Sequence, residues 1–342
     1  MKMAALGRYS AAAGAMAVCA SLLAACSVRS NLDALPNTSP AGGLDAVAHK
    51  RGTVKTFNDP FGDPAPAGIT AGPDGALWFT DPGNDVIGRI TTDGTYTLQT
   101  SAGVEISDGI VTGPDGNLWF TVAQSNAFIG RITPAGAVKL FQDPGGNFPH
   151  GITAGPDGAL WFAESNGTVG RMTTKGSVKH FPVGASNAQL EGIVTGPDRR
   201  LWVTQYVVGG SHLSNRVIRL TTTGKSKPFA VGSGPQSICV GPDKALWFTE
   251  TGASALGRLT TSGSFREFPI GDPSANASGI AAGPDGALWF TDDKGIGRMT
   301  TGGRVRVFAA SGSLPQITAG PDGAMWFTSS FAPPAIGRIT TN

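Results

Sequence analysis

The chain is poor in cysteine, histidine and charge, and each shortage excludes a class of protein. It has 3 cysteines, 4 histidines and 15% charged residues in 342, with a net charge of +2. Cys239 is the only cysteine after residue 30, which excludes a fold held together by internal disulfides. The arginines are spread along the chain rather than clustered, so we expect no nucleic-acid partner. No helical period persists after residue 30, which excludes a helical fold.

The N-terminal segment is typical of an exported protein. Lys2 and Arg8 precede an apolar, alanine-rich stretch over residues 11–25, which is too short for a stable membrane span and has the length of a signal-peptide core. It ends in Leu-Ala-Ala-Cys, which resembles the bacterial lipobox, where cleavage before the cysteine is followed by lipidation. We therefore predict a lipoprotein-type signal peptide over residues 1–25, with lipidation at Cys26. An ordinary secretory peptide cut near Ala25 is the alternative.

The residues after the lipobox lack any periodicity and indicate a flexible tether over residues 26–50. The expected location is therefore an exported protein anchored in the membrane through Cys26. Because Ser27 rather than aspartate follows the cysteine, we expect the outer membrane and the periplasm in a host with two membranes.

What the chain does have is one motif repeated seven times. Each copy is close to G-I-x-x-G-P-D-G-x-L-W-F-T and is followed by a version of I-G-R-I-T-T-x-G. The seven tryptophans of the chain, one in each copy, lie 37 to 45 residues apart: Trp78, Trp119, Trp161, Trp202, Trp247, Trp289 and Trp326. A period of this size, with several short apolar runs and turns in each copy, predicts a β-propeller of four-stranded blades. Seven copies predict seven blades.

The two ends of the chain complement each other. The seventh copy, over residues 317–340, is one strand short, and residues 52–57 (G-T-V-K-T-F) match the fourth strand of the third copy, residues 176–181 (G-S-V-K-H-F). We therefore predict that residues 52–57 form the outer strand of the last blade, which would close the ring and remove exposed sheet edges. The predicted fold is all-β, with a seven-bladed propeller over residues 51–342, and we expect it to be a monomer.

The repeated Trp-Phe pairs are interpreted as core between the blades, and the repeated charged residues as structural pairs. Seven arginines of the I-G-R blocks match seven aspartates of the G-P-D turns, which predicts Arg–Asp pairing around the ring.

The loops that vary between copies predict the position of a functional site. The G-P-D and T-T-x-G turns are nearly uniform, whereas the loops on the opposite face differ in length, and varied loops usually carry function. Two positions in each blade are predicted to face that side, at the mouth of the central channel. One precedes the Gly-Ile of the first strand: Ala67, Asp108, His150, Glu191, Gln236, Ser278 and Pro315. The other follows W-F-T: Asp81, Val122, Glu164, Gln205, Glu250, Asp292 and Ser329.

Four of these residues come from three consecutive blades and form the candidate site. Asp108, Glu164 and Glu191 could bind a divalent cation through carboxylates, and His150 could act as a base beside Glu164. The other histidines, His49, His180 and His212, show no metal-ligand partner at a useful spacing in the sequence.

Residues 149–165 (P-H-G-I-T-A-G-P-D-G-A-L-W-F-A-E-S) and the I-G-R-I-T-T blocks resemble the streptogramin B lyase (virginiamycin B lyase) family. The resemblance covers nearly all of residues 52–342. It implies a seven-bladed propeller, and it implies a carbon–oxygen lyase that opens the ester ring of a cyclic depsipeptide by elimination, with Mg²⁺. The family's P-H-[AG]-I histidine corresponds to His150, and its acid to Glu164. This chain departs from the family where Asp108 and Glu191 replace a second histidine, and where Phe148 replaces a glutamate.

Two functions from different classes therefore remain open. One is a lyase-like enzyme with Mg²⁺ and a small-molecule substrate at the channel mouth. The other is a non-catalytic surface module that binds a ligand, a glycan or a protein on the loop-variable face. A lactonase or sugar-oxidising propeller is a third class, which the W-F-T and I-G-R blocks do not resemble.

Overall fold

The computed structural model describes residues 52–58, 65–100, 104–122, 128–207, 215–330 and 334–341. These residues belong to one compact unit, which spans 49–342. The predicted signal peptide, Cys26 and the predicted tether lie outside them. All regular structure in the described ranges is β-strand, and these ranges contain no helix that could span a membrane.

The strands in these ranges are, in chain order, β1 (Val54–Asn58), β2 (Ile69–Ala71), β3 (Leu77–Asp81), β4 (Val86–Ile90), β5 (Tyr96–Thr100), β6 (Ile106–Thr112), β7 (Leu118–Val122), β8 (Phe128–Ile132), β9 (Val138–Gln142), β10 (Pro149–Ala154), β11 (Leu160–Glu164), β12 (Thr168–Met172), β13 (Val178–Pro182), β14 (Ala188–Thr195), β15 (Leu201–Val207), β16 (Arg216–Leu220), β17 (Ser226–Ala230), β18 (Pro235–Val240), β19 (Leu246–Glu250), β20 (Ala255–Leu259), β21 (Phe265–Pro269), β22 (Ile280–Ala282), β23 (Leu288–Asp292), β24 (Gly295–Met299), β25 (Val305–Ala309), β26 (Ile317–Ala319), β27 (Met325–Ser329) and β28 (Ala335–Ile339).

These strands form seven four-stranded antiparallel sheets, one for each copy of the motif. The first strands of consecutive sheets contact each other in the order β2, β6, β10, β14, β18, β22 and β26, and β26 contacts β2. The sheets therefore form a closed ring of seven blades around a central channel, with each meander running outward from it. The predicted seven-bladed propeller is confirmed.

The last blade is built from both ends of the chain, as predicted. Its order is β1-β28-β27-β26, and β1 pairs with β28 from Val54 opposite Ile339 to Asn58 opposite Ala335. The Phe57 ring stacks on Trp326 with a centroid distance of 5.5 Å. The N-terminal strand thus supplies both a hydrogen-bonding partner for the β28 edge and an aromatic cover for the core of the blade.

The core lies between blades rather than within them. Trp119 of the second blade packs with Leu160 and Phe162 of the third, and Trp161 of the third packs with Leu201 of the fourth. All seven tryptophan side chains are at most 1% exposed. Each blade has two apolar faces, and each face is covered by the blade next to it. One blade alone could therefore not bury its apolar residues. Truncating a single tryptophan to alanine should cost about 3–5 kcal/mol of unfolding free energy.

Each tryptophan is fixed by the aspartate of its own G-P-D turn. In the third blade, Trp161 Nε1 donates to Asp157 Oδ1 at 2.9 Å, and Arg171 Nε donates to Asp157 Oδ2 at 2.7 Å. Burial opposes ionisation of Asp157, but the hydrogen bonds from Trp161 and Arg171 outweigh it and lower the pKa of this carboxyl. The uniform turns are therefore structural anchors for the core.

The predicted Arg–Asp pairing holds in six of the seven blades. The pairs are Arg89–Asp74, Arg131–Asp115, Arg171–Asp157, Arg258–Asp243, Arg298–Asp285 and Arg338–Asp322, at 2.6–3.9 Å. The fourth blade differs, because Arg219 Nη1 donates to the carbonyl oxygen of Thr261 in the next blade at 3.3 Å.

Close packing of the first strands brings the candidate site residues next to one another. A Cβ on Gly109 would lie 2.2 Å from the carbonyl oxygen of His150, and a Cβ on Gly151 would lie 2.5 Å from that of Glu191. Real Cβ atoms are never so close to a carbonyl oxygen, so only glycine allows this spacing between blades. The residues that precede these glycines, Asp108 and His150, are consequently held in register with Glu191 around the channel.

Ring closure can be tested by deletion. Removing residues 51–58 should leave the β28 edge unpaired and Trp326 uncovered, and should lower the Tm by more than about 6 °C. Removing residues 27–48, which the sequence predicts to be a tether, should change the Tm by less than about 1 °C. Differential scanning calorimetry of both deletions measures this. Equal losses of Tm in the two deletions would contradict closure by β1.

Candidate functional site

The central channel is a polar cavity of about 430 Å³ along the axis of the ring. Most of the residues that precede the first-strand Gly-Ile, or its equivalent, line it as expected: Asp108, Glu191, Gln236, Ser278 and Pro315. The first four of these side chains give the cavity two carboxylates, an amide and a hydroxyl. The channel is therefore suited to a polar ligand that needs hydrogen-bond donors and acceptors.

His150 is not itself among the residues that line the channel; it precedes Gly151, which does line it, and it has two polar partners. Its Nε2 is 2.8 Å from the hydroxyl of Ser165, and its Nδ1 is 3.9 Å from Oε2 of Glu191. The imidazole is 28% exposed, so a ligand can reach it. Ser165 follows directly on β11 and its hydroxyl also donates to the carbonyl oxygen of Phe148 at 3.4 Å. This arrangement gives His150 a fixed orientation and two distinct ring nitrogens, as a base requires.

Glu191 interacts with His150, Asp108 and Tyr206. Burial raises the pKa of its carboxyl, the negative charge of Asp108 raises it further, and His150 and a hydrogen bond from Tyr206 act in the opposite direction. Burial and the neighbouring Glu191 in turn raise the pKa of Tyr206 to about 12. Asp108 and His150 therefore both interact electrostatically with Glu191, and the three residues come from three consecutive blades.

Two members of this group were missed from the sequence. Ser165 falls outside both repeated positions, and Tyr206 lies near the end of β15, where the fourth copy is extended. The signal that could have found Tyr206 is the length of that copy, since the extended β15 carries Tyr206 to Glu191.

Glu164 does not join His150, and this part of the predicted site is wrong. No hydrogen bond or ion pair links the two side chains in the described part of the chain. Glu164 is fully buried at the end of β11, on the same face of the strand as Leu160 and Phe162, which pack against the second blade. His150 instead approaches Glu191 of the fourth blade. Glu164 therefore faces the second blade, whereas His150 faces the fourth.

The same correction applies to the whole second set of predicted mouth residues. All seven positions after W-F-T or its equivalent are less than 9% exposed, and none lines the channel. Several of them hold loops instead: Asp81 Oδ1 accepts from the Ala65 amide at 2.8 Å, and Asp292 Oδ1 accepts from the Gly295 amide at 2.7 Å. Strand alternation explains the error, because the parity of a residue in the strand fixes its face.

In the third blade, this buried position belongs to a cluster that the sequence did not predict. His180 Nε2 lies 2.8 Å from Asp143 Oδ1 and 3.8 Å from Glu164 Oε2. The prediction that His180 has no potential ligand partner is therefore wrong, because the fold brings Asp143, which follows β9, to His180 on β13, although the two are 37 positions apart in the chain. Burial raises the pKa of Glu164 to about 7, and the Asp143 carboxylate raises the pKa of His180.

The fifth blade has a carboxyl pair at the equivalent position. Glu250 occupies the position of Glu164, and Glu267 pairs with Gly257 as His180 pairs with Gly170. Burial, together with the adjacent Glu267 carboxyl, raises the pKa of Glu250 to about 8. The pair therefore retains a proton at neutral pH in the folded state.

The Glu250 pair should make stability depend on pH. Between its ordinary pKa of 4.5 and about 8, folded Glu250 keeps a proton that the unfolded chain has lost. The free energy of unfolding should therefore fall as the pH rises through this window. In Glu250→Gln the fall in Tm from pH 5 to pH 9 should be smaller than in the wild type, with the remainder contributed by Glu164. The matched control is exposed Glu105→Gln, which should keep the wild-type slope. An unchanged slope in Glu250→Gln would contradict the pairing.

Comparison with known proteins places this geometry in a family. The family model described as "Virginiamycin B lyase family" matches residues 45–210 and 192–342. A solved streptogramin B lyase structure is 28% identical, with a TM-score of 0.77, over 85% of this chain and 98% of that one. A catalytically inactive histidine-to-alanine variant of virginiamycin B lyase from Staphylococcus aureus, solved with quinupristin, is 31% identical, with a TM-score of 0.76, over 84% and 99%.

A more distant match shows the fold alone. The extracellular domain of a hybrid two-component system from B. thetaiotaomicron is 12% identical, with a TM-score of 0.65, over 83% of this chain and 39% of that one. The search of curated proteins found no match. The family model covers almost all of the propeller, and the chain therefore belongs to the virginiamycin B lyase family.

Proposed function

We propose that the protein is an exported, membrane-anchored lyase that opens a cyclic ester at the channel mouth, with His150 as the base. The observation that carries this proposal is the placement of an accessible imidazole between Ser165 and Glu191, beside a polar channel. A similar structure is described as a catalytically inactive histidine variant with quinupristin, which supports a cyclic depsipeptide as the substrate class.

The proposed step is an elimination. His150 removes a proton from the carbon next to the one that carries the ester oxygen. The electron pair of that C–H bond forms a C=C bond, the C–O bond breaks, and the carboxylate leaves without addition of water. Because the Ser165 hydroxyl donates to the Phe148 carbonyl, it accepts a hydrogen bond from Nε2–H, which leaves the lone pair of His150 on Nδ1. Nδ1 is therefore the nitrogen that accepts the substrate proton, and Glu191 lies near enough to stabilise the resulting imidazolium.

The channel carboxylates fit a Mg²⁺ ion, the cofactor that we propose for this site. Asp108 and Glu191 supply the oxygen ligands that this ion prefers, and the negative charge of Asp108 opposes ionisation of Glu191, a repulsion that a cation would relieve. When bound, Mg²⁺ would stabilise the negative charge on the leaving carboxylate. Glu164 is not available for this role, since its carboxylate faces the second blade.

A non-catalytic binding module is the second candidate function, and Phe148 favours it. This side chain is 44% exposed although it is large and apolar, and its backbone φ is +42°. An apolar ring displayed two residues before His150 gives a ligand, a glycan or a protein a contact surface on the loop-variable face.

Turnover of a streptogramin B separates the two functions. Wild-type protein with Mg²⁺ should convert quinupristin to a linear product of unchanged mass, detected by liquid chromatography and mass spectrometry. His150→Ala should lower kcat/KM by at least about 100-fold, since a general base contributes that much. Lys175→Ala, an exposed residue of a uniform turn on the opposite face, is the control and should retain activity. Saturable binding without turnover would support the binding module, and full activity in His150→Ala would exclude this histidine as the base.

Membrane anchoring is tested separately at Cys26. Metabolic labelling with a fatty-acid analogue should tag the wild-type protein in its bacterial host and should fail on Cys26→Ser. The labelled protein should fractionate with membranes. An unlabelled, soluble wild-type protein would instead indicate an ordinary secretory peptide cut near Ala25.

A further inference from the structure

We propose that Asp143, Glu164 and His180 form a buried binding site for one divalent transition-metal cation such as Zn²⁺. This site lies between the second and third blades and is separate from the channel. It does not depend on the proposed lyase function.

The geometry of the three side chains matches a metal site. One ligand atom from each residue lies within 4.8 Å of the others. His180 Nε2 is 2.8 Å from Asp143 Oδ1 and 3.8 Å from Glu164 Oε2. These distances lie on either side of the separation of about 3.4 Å expected for tetrahedral ligands that are each about 2.0–2.1 Å from Zn²⁺. Shifts of about half an ångström would bring His180 to this separation from both carboxylates.

Buried polar atoms without a hydrogen bond of good geometry point to the same centre. They are both carboxylate oxygens of Asp143, Oε2 of Glu164 and Nε2 of His180, and among them His180 Nε2 and Asp143 Oδ1 approach each other as an ion pair, at 2.8 Å. The other oxygen of Glu164 accepts from the Asn147 amide at 2.9 Å, which orients the carboxylate and leaves Oε2 directed at His180. Asp143 and Glu164 are at most 2% exposed. Buried polar atoms normally find partners, and a cation would be the common partner of these four atoms.

Charge and donor type select the cation. Two buried carboxylates carry two negative charges, so a divalent cation with a neutral imidazole makes the site neutral, whereas a protonated His180 leaves one charge uncompensated. Imidazole nitrogen together with carboxylate oxygen suits Zn²⁺ and similar first-row metals better than Mg²⁺ or Ca²⁺, which prefer oxygen alone. The His180 side chain is 24% exposed, which provides an entry path.

The site connects elements that lead to His150. Asp143 directly follows β9 of the second blade, and Glu164 and His180 lie on β11 and β13 of the third. The segment between Asp143 and Pro149 runs over the cluster and enters β10, where His150 is the second residue. A bound cation would therefore join two blades and fix the start of the strand that carries His150.

Metal binding to the purified full-length protein tests the proposal. After chelator treatment, calorimetric titration with Zn²⁺ in excess Mg²⁺, which would occupy the channel carboxylates, should show one site per chain, and Co²⁺ should give visible absorption typical of a low-symmetry site. Zn²⁺ should also raise the Tm by mass action. Asp143→Asn and His180→Gln should each weaken Zn²⁺ binding by at least about tenfold. Two control variants, Glu250→Gln in the fifth blade and His150→Gln at the channel, should bind Zn²⁺ like the wild type.

Two other outcomes of these titrations would overturn the proposal. Wild-type protein that binds neither Zn²⁺ nor Co²⁺, whatever the fold of the variants, would show that Asp143 and His180 form an ion pair only. Binding that survives in folded His180→Gln but is lost in His150→Gln would place the cation at the channel. Far-UV circular dichroism and Tm in metal-free buffer establish that each variant is folded before it is titrated.

Discussion

The structure depends on one constraint: each blade can bury its apolar faces only against the next blade. Trp161 illustrates it, because the ring is fully buried against Leu201 of the following blade, while its indole nitrogen is held by Asp157 of its own turn. The same arrangement recurs around the ring, so no blade is stable alone and the ring must close. The pairing of β1 with β28 satisfies this requirement by uniting the two ends of the propeller.

The constraint also creates the two kinds of polar site. Near the axis, glycines bring the first strands so close that Asp108, His150 and Glu191 are neighbours although each comes from a different blade. Further out, the residue after W-F-T is enclosed under the loops that join adjacent blades. A carboxylate there either accepts backbone amides, as Asp81 does, or meets another ionisable group, as Glu164 does. Identical positions in the repeat therefore carry different chemistry according to their neighbours.

Residue type varies between the seven copies mainly at the channel and at the position after W-F-T. The G-P-D turns, the tryptophans and most of the arginines are uniform because each performs the same packing role in its blade. Residues at the channel and under the loops differ from copy to copy, since their substitution leaves the inter-blade core intact. The third blade combines both kinds of polar site, with His150 at the channel and His180 in the buried cluster. That blade is consequently the one in which both candidate sites meet.

The sequence by itself determined the seven blades, the closing strand, the inter-blade role of the tryptophans and the Arg–Asp pairs. These features follow from the repeat, because a residue that recurs at the same position in all seven copies has the same local structural role in each blade. The sequence also identified the position before the first-strand glycine in each blade. Asp108, His150 and Glu191 occupy this position in three consecutive blades. Only the tertiary structure decided which neighbour each polar side chain faces. Strand parity directs Glu164 to the second blade and away from His150, and contacts between separate strands bring Asp143 to His180 and Tyr206 to Glu191. The two residues of each such pair are distant in the chain, and each pair occurs in one blade. The repeat pattern therefore could not predict these contacts.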